Sequence, residues 1–238
     1  MTEERKRIIT ENYKRVTEKI EEAKLRRDRS IQGEVTLLAA TKTVDPEEIL
    51  FAIHALGLAA AGENKVQEFL AKYDLLRGQA ALHILGHLQT NKVRQIVGKV
   101  DMIQSVDSLH LAQEIGRRSQ AAGVVTDVLA EINIGREENK TGILPEETRD
   151  FTNALEEIPG IRLRGLMTMA PVCRSKDEYL KYFCKTYEIY LDIFRKKSHN
   201  RIETVLSMGM SDSFEAAIEA GATMVRIGSA IFGPRIYL

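Results

Sequence analysis

Apolar residues recur at steps of three and four near the start of the chain. Ile9, Tyr13, Val16, Ile20 and Ala23 are separated by Glu, Lys and Arg. That spacing predicts an amphipathic helix over residues 3 to about 27, with one face turned to a core. Beyond it the pattern changes. Short apolar runs, many of them β-branched, each lead into a polar turn and a helical repeat. Strands are predicted at 35–41, 58–62, 83–86, 102–106, 125–134, 161–169, 204–209 and 223–228. Strand and helix in alternation imply parallel strands joined by crossover helices, and near-continuous apolar runs fit strands buried on both faces.

Local signals mark the helix starts. Asp45 before Pro46 and Glu48 reads as a cap, a first-position proline and a first-turn acid. Ser175 with Glu178, and Asp212 with Glu215, have capping-box spacing; Asp107 is placed to cap the helix containing Leu109, and Pro145 to open another. Eight strand–helix units in 238 residues predict an α/β fold, a single (β/α)8 barrel of the TIM type with an extra N-terminal helix. A doubly wound open sheet is the alternative. No linker rich in Pro, Gly or Ser interrupts the chain, so one domain is expected over 1–238, with the covering helix inside residues 1–30.

Composition narrows the function. Lys+Arg and Asp+Glu stand at 34 each, so the net charge is zero and there is no electrostatic case for nucleic acid. Hydrophobic content of 44% with 29% charged residues suits a globular protein with a substantial core. The two cysteines, Cys173 and Cys184, form no disulfide framework or metal-ligand set and read as free thiols in a reducing compartment. The charged start and the absence of an apolar run of about 20 residues point to a cytoplasmic protein with no membrane partner.

In a barrel the chemistry gathers at the C-terminal strand ends. There the sequence places Lys42 after strand 1, Asn64 after strand 2, His87 after strand 3, and Ser207, Gly209, Arg226, Gly228 and Ser229 at strands 7 and 8. A lysine leaving a buried strand can act as an amine nucleophile toward a carbonyl. The loops after strands 7 and 8 are a common phosphate site; Gly209 and Gly228 allow close backbone approach, and Ser207 and Ser229 supply hydroxyls. Arg226 and Gly228 share a strand face. Arg226 would either pair with Glu63 or Glu131, or donate to a bound ring nitrogen or carboxylate. His83 and His87 lack a third ligand, so no metal site is expected. An amine, a phosphate cradle and an Arg between them serve two chemistries: a Schiff-base aldolase acting on a phosphorylated sugar, or a lysine holding pyridoxal 5′-phosphate (PLP).

The stretches GENKVQE, GHLQTNK, GLMTMAP, LSMGMSDSFEAAI and GATMVRIGSAIFG, in that order, resemble the pyridoxal phosphate homeostasis protein family over about residues 35 to 235. The resemblance implies the fold-type III PLP barrel, similar to the N-terminal domain of alanine racemase. It implies a Schiff base between Lys42 and PLP, Arg226 facing the pyridine nitrogen, and Asn64 beside the cofactor. Ser207, Gly209, Gly228 and Ser229 would hold the phosphate. Alanine racemases add a C-terminal β-domain and a partner-supplied tyrosine, which this chain does not match, and an Arg at the ring nitrogen weakens PLP as an electron sink. The expected protein is a monomeric PLP binder that supplies apo-enzymes without strong catalysis of its own; a PLP-dependent racemase is the alternative.

Overall fold

The computed structural model describes residues 1–31, 33–194 and 204–234. Eight parallel strands close into a barrel in chain order. They are β1 (Thr36–Ala40), β2 (Ala60–Glu63), β3 (Ala81–Ile84), β4 (Met102–Val106), β5 (Thr126–Ile132), β6 (Ile161–Thr168), β7 (Val205–Ser207) and β8 (Met224–Ile227), and β8 pairs with β1 to complete the ring. The open-sheet alternative is thereby set aside. β2 starts about two residues later than expected, and β3 starts and ends about two residues earlier. β3 starts at Ala81, whose N–H reaches the Ala59 carbonyl, and ends before Gly86, where an added Cβ would lie 2.5 Å from the Asn64 carbonyl.

Period-two alternation sorts the strand side chains. Ala39, Ala61, Ile84, Val128, Leu166 and Val225 pack outward against the helices. Leu38, Ala60 and Met224 form one interior cluster, and Met102, Leu129 and Met167 another. A barrel interior is filled by such layers rather than left as a pore.

The first helix, α1 (Glu3–Leu25), buries Ile9, Val16, Ile20 and Ala23, as its spacing predicts. Its polar residues have a second task. Asn12 donates to the Ile231 carbonyl (3.0 Å), and Arg5 to that of Phe232 (2.6 Å). Just past the helix, buried Arg27 donates to the carbonyls of Ile218 (2.9 Å) and Ala222 (2.6 Å). The N-terminal segment thus satisfies carbonyls at the ends of α8 (Phe214–Glu219) and α9 (Ser229–Phe232), the short helices after β7 and β8. No helix among the described residues is long and apolar enough to cross a membrane.

Asp45 caps α2 (Pro46–Leu56), accepting from the Glu47 N–H at 2.8 Å. Two other expected caps are corrected. Ser108, not Asp107, caps α5 (Leu109–Ala121), because the Asp107 carboxylate is taken by His87 Nδ1 at 2.9 Å. Asp212 is exposed, and the turn before α8 is held instead by the Met210 N–H donating to the Ser213 hydroxyl (3.1 Å). Ser175 does accept from the Glu178 N–H (3.3 Å), but the Glu178 carboxylate returns to Arg174 (2.8 Å), one residue early. Pro145 opens a single 3-10 turn, Pro145–Glu147, that continues into α6 (Thr148–Glu156).

Gly165 carries the irregularity of the long β5–β6 pairing, whose register shifts between Val128 and Leu129. Its φ is +147°, and an added Cβ would sit 1.8 Å from the Val205 carbonyl oxygen. Gly165→Ala is expected to destabilise the fold by about 3 kcal/mol, read as a lower midpoint in urea unfolding, through strain and a clash with β7.

Candidate functional site

The C-terminal end of β1 leads straight into a four-residue turn. Thr41 is fully buried, and its carbonyl accepts the Val44 N–H (3.0 Å). Lys42 follows, and then Thr43 with φ +63°. Positive φ at a β-branched residue costs about 1–3 kcal/mol and marks backbone held by its surroundings. Lys42 is half-buried, with its side chain in the wall of a cavity of about 550 Å³. Across that cavity stand Arg226, Gly228 and Ser229 from β8 and its loop, and Met210, Ser211 and Asp212 from the β7 loop. Arg5 of α1, bonded to Glu48 through two contacts of 2.7 Å, closes its outer edge.

Arg226 lies inside the barrel, only 5% exposed. Its Nη1 donates to the Ser207 hydroxyl (2.7 Å) and its Nη2 to the Thr168 carbonyl (2.9 Å). Burial pushes its pKa down to about 10, against the pull of Glu131. The expected pairing with Glu63 or Glu131 is not what holds it. Glu63 is bonded to Lys72 (2.8 Å), and Glu131 accepts from Thr141 (2.9 Å) and acts on Arg226 through its field. Two bonds leave much of a guanidinium's five-donor capacity for an acceptor in the cavity.

Because Arg226 can only donate, Ser207 must accept from it and pass its own hydrogen on, to Gln104 Oε1 at 2.7 Å. Gln104 Nε2 then faces His83 Nδ1 at 2.8 Å. His83 is therefore neutral, with its hydrogen on Nε2. Burial drives its pKa down to about 4 from the ordinary 6.5. The chain Arg226–Ser207–Gln104–His83 crosses the barrel interior on four strands.

The predicted residues thus divide. Lys42, Arg226, Gly228 and Ser229 come together around one cavity. Ser207 lies behind Arg226 rather than in the loop. Gly209 has φ +91° and places its backbone against α8, where an added Cβ would lie 2.6 Å from that of Ala217; its carbonyl accepts the Arg226 N–H (3.1 Å). Asn64 is half-buried at the end of β2, its backbone packed on Gly86. His83 and His87 occupy unlike places, one in the interior and one at the rim beside Asp107.

Sequence reasoning passed over Ser211, which joins the two loops. Its hydroxyl meets the Ser229 hydroxyl at 3.1 Å and accepts the Ala230 N–H at 3.3 Å. It also passed over Gln104, whose amide interrupts an apolar strand and could have signalled a polar interior. A half-buried lysine at one wall, a guanidinium at the floor and two hydroxyls on the facing loops suit a ligand with a carbonyl, an acceptor and an anionic group. Exposed Asp212 also reaches this wall, where solvent screens its charge.

Fold and site together define a closed (β/α)8 barrel protein with a lysine, an arginine and two serine hydroxyls gathered around one cavity at the C-terminal mouth. The family model "Alanine racemase, N-terminal domain" matches residues 23–235. The pyridoxal phosphate homeostasis protein of Aquifex aeolicus is 42% identical over 230 residues, covering 95% of this chain and 98% of that one. A solved structure of an unknown protein from Bifidobacterium adolescentis aligns with TM-score 0.87 and 34% identity over 98% and 97% of the two chains. The PipY protein of Synechococcus elongatus, solved with PLP bound, aligns with TM-score 0.75 and 30% identity over 91% and 99%. The chain belongs to the alanine racemase N-terminal domain family, within its group of pyridoxal phosphate homeostasis proteins.

The neutral His83 makes stability depend on pH. Its folded pKa, about 4, lies below the unfolded value near 6.5, so the unfolded chain binds the extra proton between them. Stability is full above the unfolded pKa and falls as pH drops, by about 3 kcal/mol from pH 7 to pH 4 on this group's account. Urea unfolding of wild type and His83→Gln at both pH values is expected to show a shallower decline in the variant.

Proposed function

We propose that this protein binds pyridoxal 5′-phosphate as a Schiff base on Lys42 and serves intracellular PLP homeostasis, holding the cofactor and supplying it to apo-enzymes. The observation that carries the reading is the convergence of Lys42, Arg226 and the Ser211–Ser229 loop pair on one cavity of about 550 Å³. PLP offers an aldehyde, a ring nitrogen and a phosphate, and the site offers a partner to each. The names of the relatives and the PLP-bound PipY structure support the assignment.

PLP, when bound, would supply an aldehyde with which the Lys42 amine would condense with loss of water. Arg226 donates toward the ring nitrogen, its guanidinium fixed by Ser207 and Thr168. Because it is a permanent donor, it leaves that nitrogen unprotonated and disfavours carbanion chemistry, the electronic task PLP performs in racemases. Ser229 and Ser211, with backbone at Gly228, hold the phosphate. Gly228 itself packs on β1, where an added Cβ would lie 2.8 Å from the Ala40 carbonyl oxygen. Ser207 and Gly209 serve the same site indirectly, one orienting the Arg226 head group and the other accepting its backbone N–H. Asn64 flanks the cofactor at the β2 end.

In this reading the chain is one domain and works as a cytoplasmic monomer; that domain includes 195–203 and 235–238, which lie outside the described residues.

Titration with PLP is expected to give a visible band that borohydride fixes onto the peptide carrying Lys42. Lys42→Ala lacks the covalent product, and Arg226→Gln keeps it but shifts the band. A wild-type protein that gives no trapped product overturns the site assignment. Release of α-deuterium from labelled amino acids at about 1 per second or faster, an ordinary enzyme rate, would favour the racemase reading over the carrier.

A further inference from the structure

Beneath Lys42 lies a charge pair that the cavity does not contain. Lys72, from α3 (Val66–Leu76), is 8% exposed, and Glu63, at the end of β2, is 4% exposed. The Lys72 ammonium donates to Glu63 Oε1 (2.8 Å) and to the Thr41 carbonyl (2.8 Å). The Thr41 hydroxyl donates to the same Glu63 oxygen (2.7 Å), and the Thr41 N–H to the Gly62 carbonyl (2.9 Å). Every polar group of the residue before Lys42 is thus committed to β2, α3 or the turn itself. The residue after Lys42 is Thr43, at positive φ.

We propose that Lys72 and Glu63 are positioning residues for Lys42, clamping Thr41 so that the strained turn aims the Lys42 amine into the cavity. This rests on the reading of Lys42 as the cofactor-binding residue. Two observations point the same way. An ion pair buried this deeply is seldom a gain over an apolar pair, so stability alone is a weak reason for it. A β-branched residue keeps positive φ only where its neighbours over-determine the backbone, and the Thr41 clamp supplies that constraint. The carbonyl that Lys72 grips is also the one that closes the turn around Lys42, so loss of the ammonium loosens that turn first. Burial and the neighbouring Glu68 carboxyl hold the Glu63 pKa above its ordinary range, opposed by Lys72, which is the balance of a partnered but costly buried acid.

The test compares wild type with Lys72→Met and with the double variant Lys72→Met/Glu63→Gln. The double variant removes both charges together, leaves no unpaired buried ion, and serves where the single variant does not fold. One readout is binding of PLP, followed by the absorbance and circular dichroism of the Lys42-linked band. Beside it runs pyridoxine 5′-phosphate, which has the ring and phosphate without the aldehyde. The second readout needs no cofactor: the rate at which trinitrobenzenesulfonate modifies Lys42, relative to exposed Lys65, by peptide mass.

The expected result is PLP binding weakened about tenfold, a diminished dichroic band, pyridoxine 5′-phosphate within about twofold of wild type, and a changed Lys42 labelling rate. Equal weakening of both ligands would mean that the pair supports the whole cavity, and would overturn the proposal. So would a folded double variant whose PLP affinity, dichroism and labelling all match wild type. Should wild type itself give no Lys42-linked band, the cofactor reading fails. The labelling rates then decide the positioning alone: a change sustains it and equality overturns it.

Discussion

A guanidinium inside a β-barrel must be solvated by protein, and Arg226 sets that requirement for this molecule. The charge cannot be given up at neutral pH, so the groups around it have to accept. Ser207 and the Thr168 carbonyl do so. The direction of each further hydrogen bond then follows, through Gln104 to a His83 that has to be neutral. Where most barrels of this type stack branched apolar residues, this one carries a polar line from β8 to β3. Two small apolar clusters fill the rest of the interior. The free side of the same guanidinium forms part of the cavity wall, so the interior network and the ligand site are one structure.

The mouth is built around that fixed point from two kinds of backbone. On the β1 side a clamped turn presents Lys42, with buried charge on one flank and a strained threonine on the other. On the β7–β8 side two loops approach each other through Ser211 and Ser229, backed by short helices whose carbonyls accept from α1 and from Arg27 just past it. The N-terminal helix is more than a cover, since Arg5 and Arg27 tie it to the elements that carry the proposed phosphate loops. We read a lysine facing a pair of hydroxyl-lined loops as an arrangement for holding a cofactor. In the proposed reading, the Arg226 donor at the ring nitrogen would oppose the electron withdrawal that a racemase needs.

Much of this was legible because it rests on periodicity. Alternating apolar runs specified eight strands, and a charge breaking one of them identified Arg226. Lys42 stood out because it leaves a buried strand directly. What stayed hidden depends on contacts distant in sequence. Ser207 reads as a loop hydroxyl until the barrel closes and turns it toward Gln104, 103 residues away in sequence. Ser211 lies inside the LSMGMSDSFEAAI stretch, but only the meeting of two loops gives it a role. Asp107 has good capping chemistry, yet His87 takes its carboxylate, a competition that local spacing cannot show. Lys72 looks like an ordinary helical lysine, and its burial follows from the packing of α3 against β2 and β3.

The most direct test of the account is a crystal structure of the protein grown with PLP. Continuous density from the Lys42 Nζ, the ring nitrogen against Arg226 and the phosphate between the Ser211 and Ser229 loops is the predicted result. PLP attached to another lysine, or seated at Lys42 with its phosphate away from those loops, would contradict it.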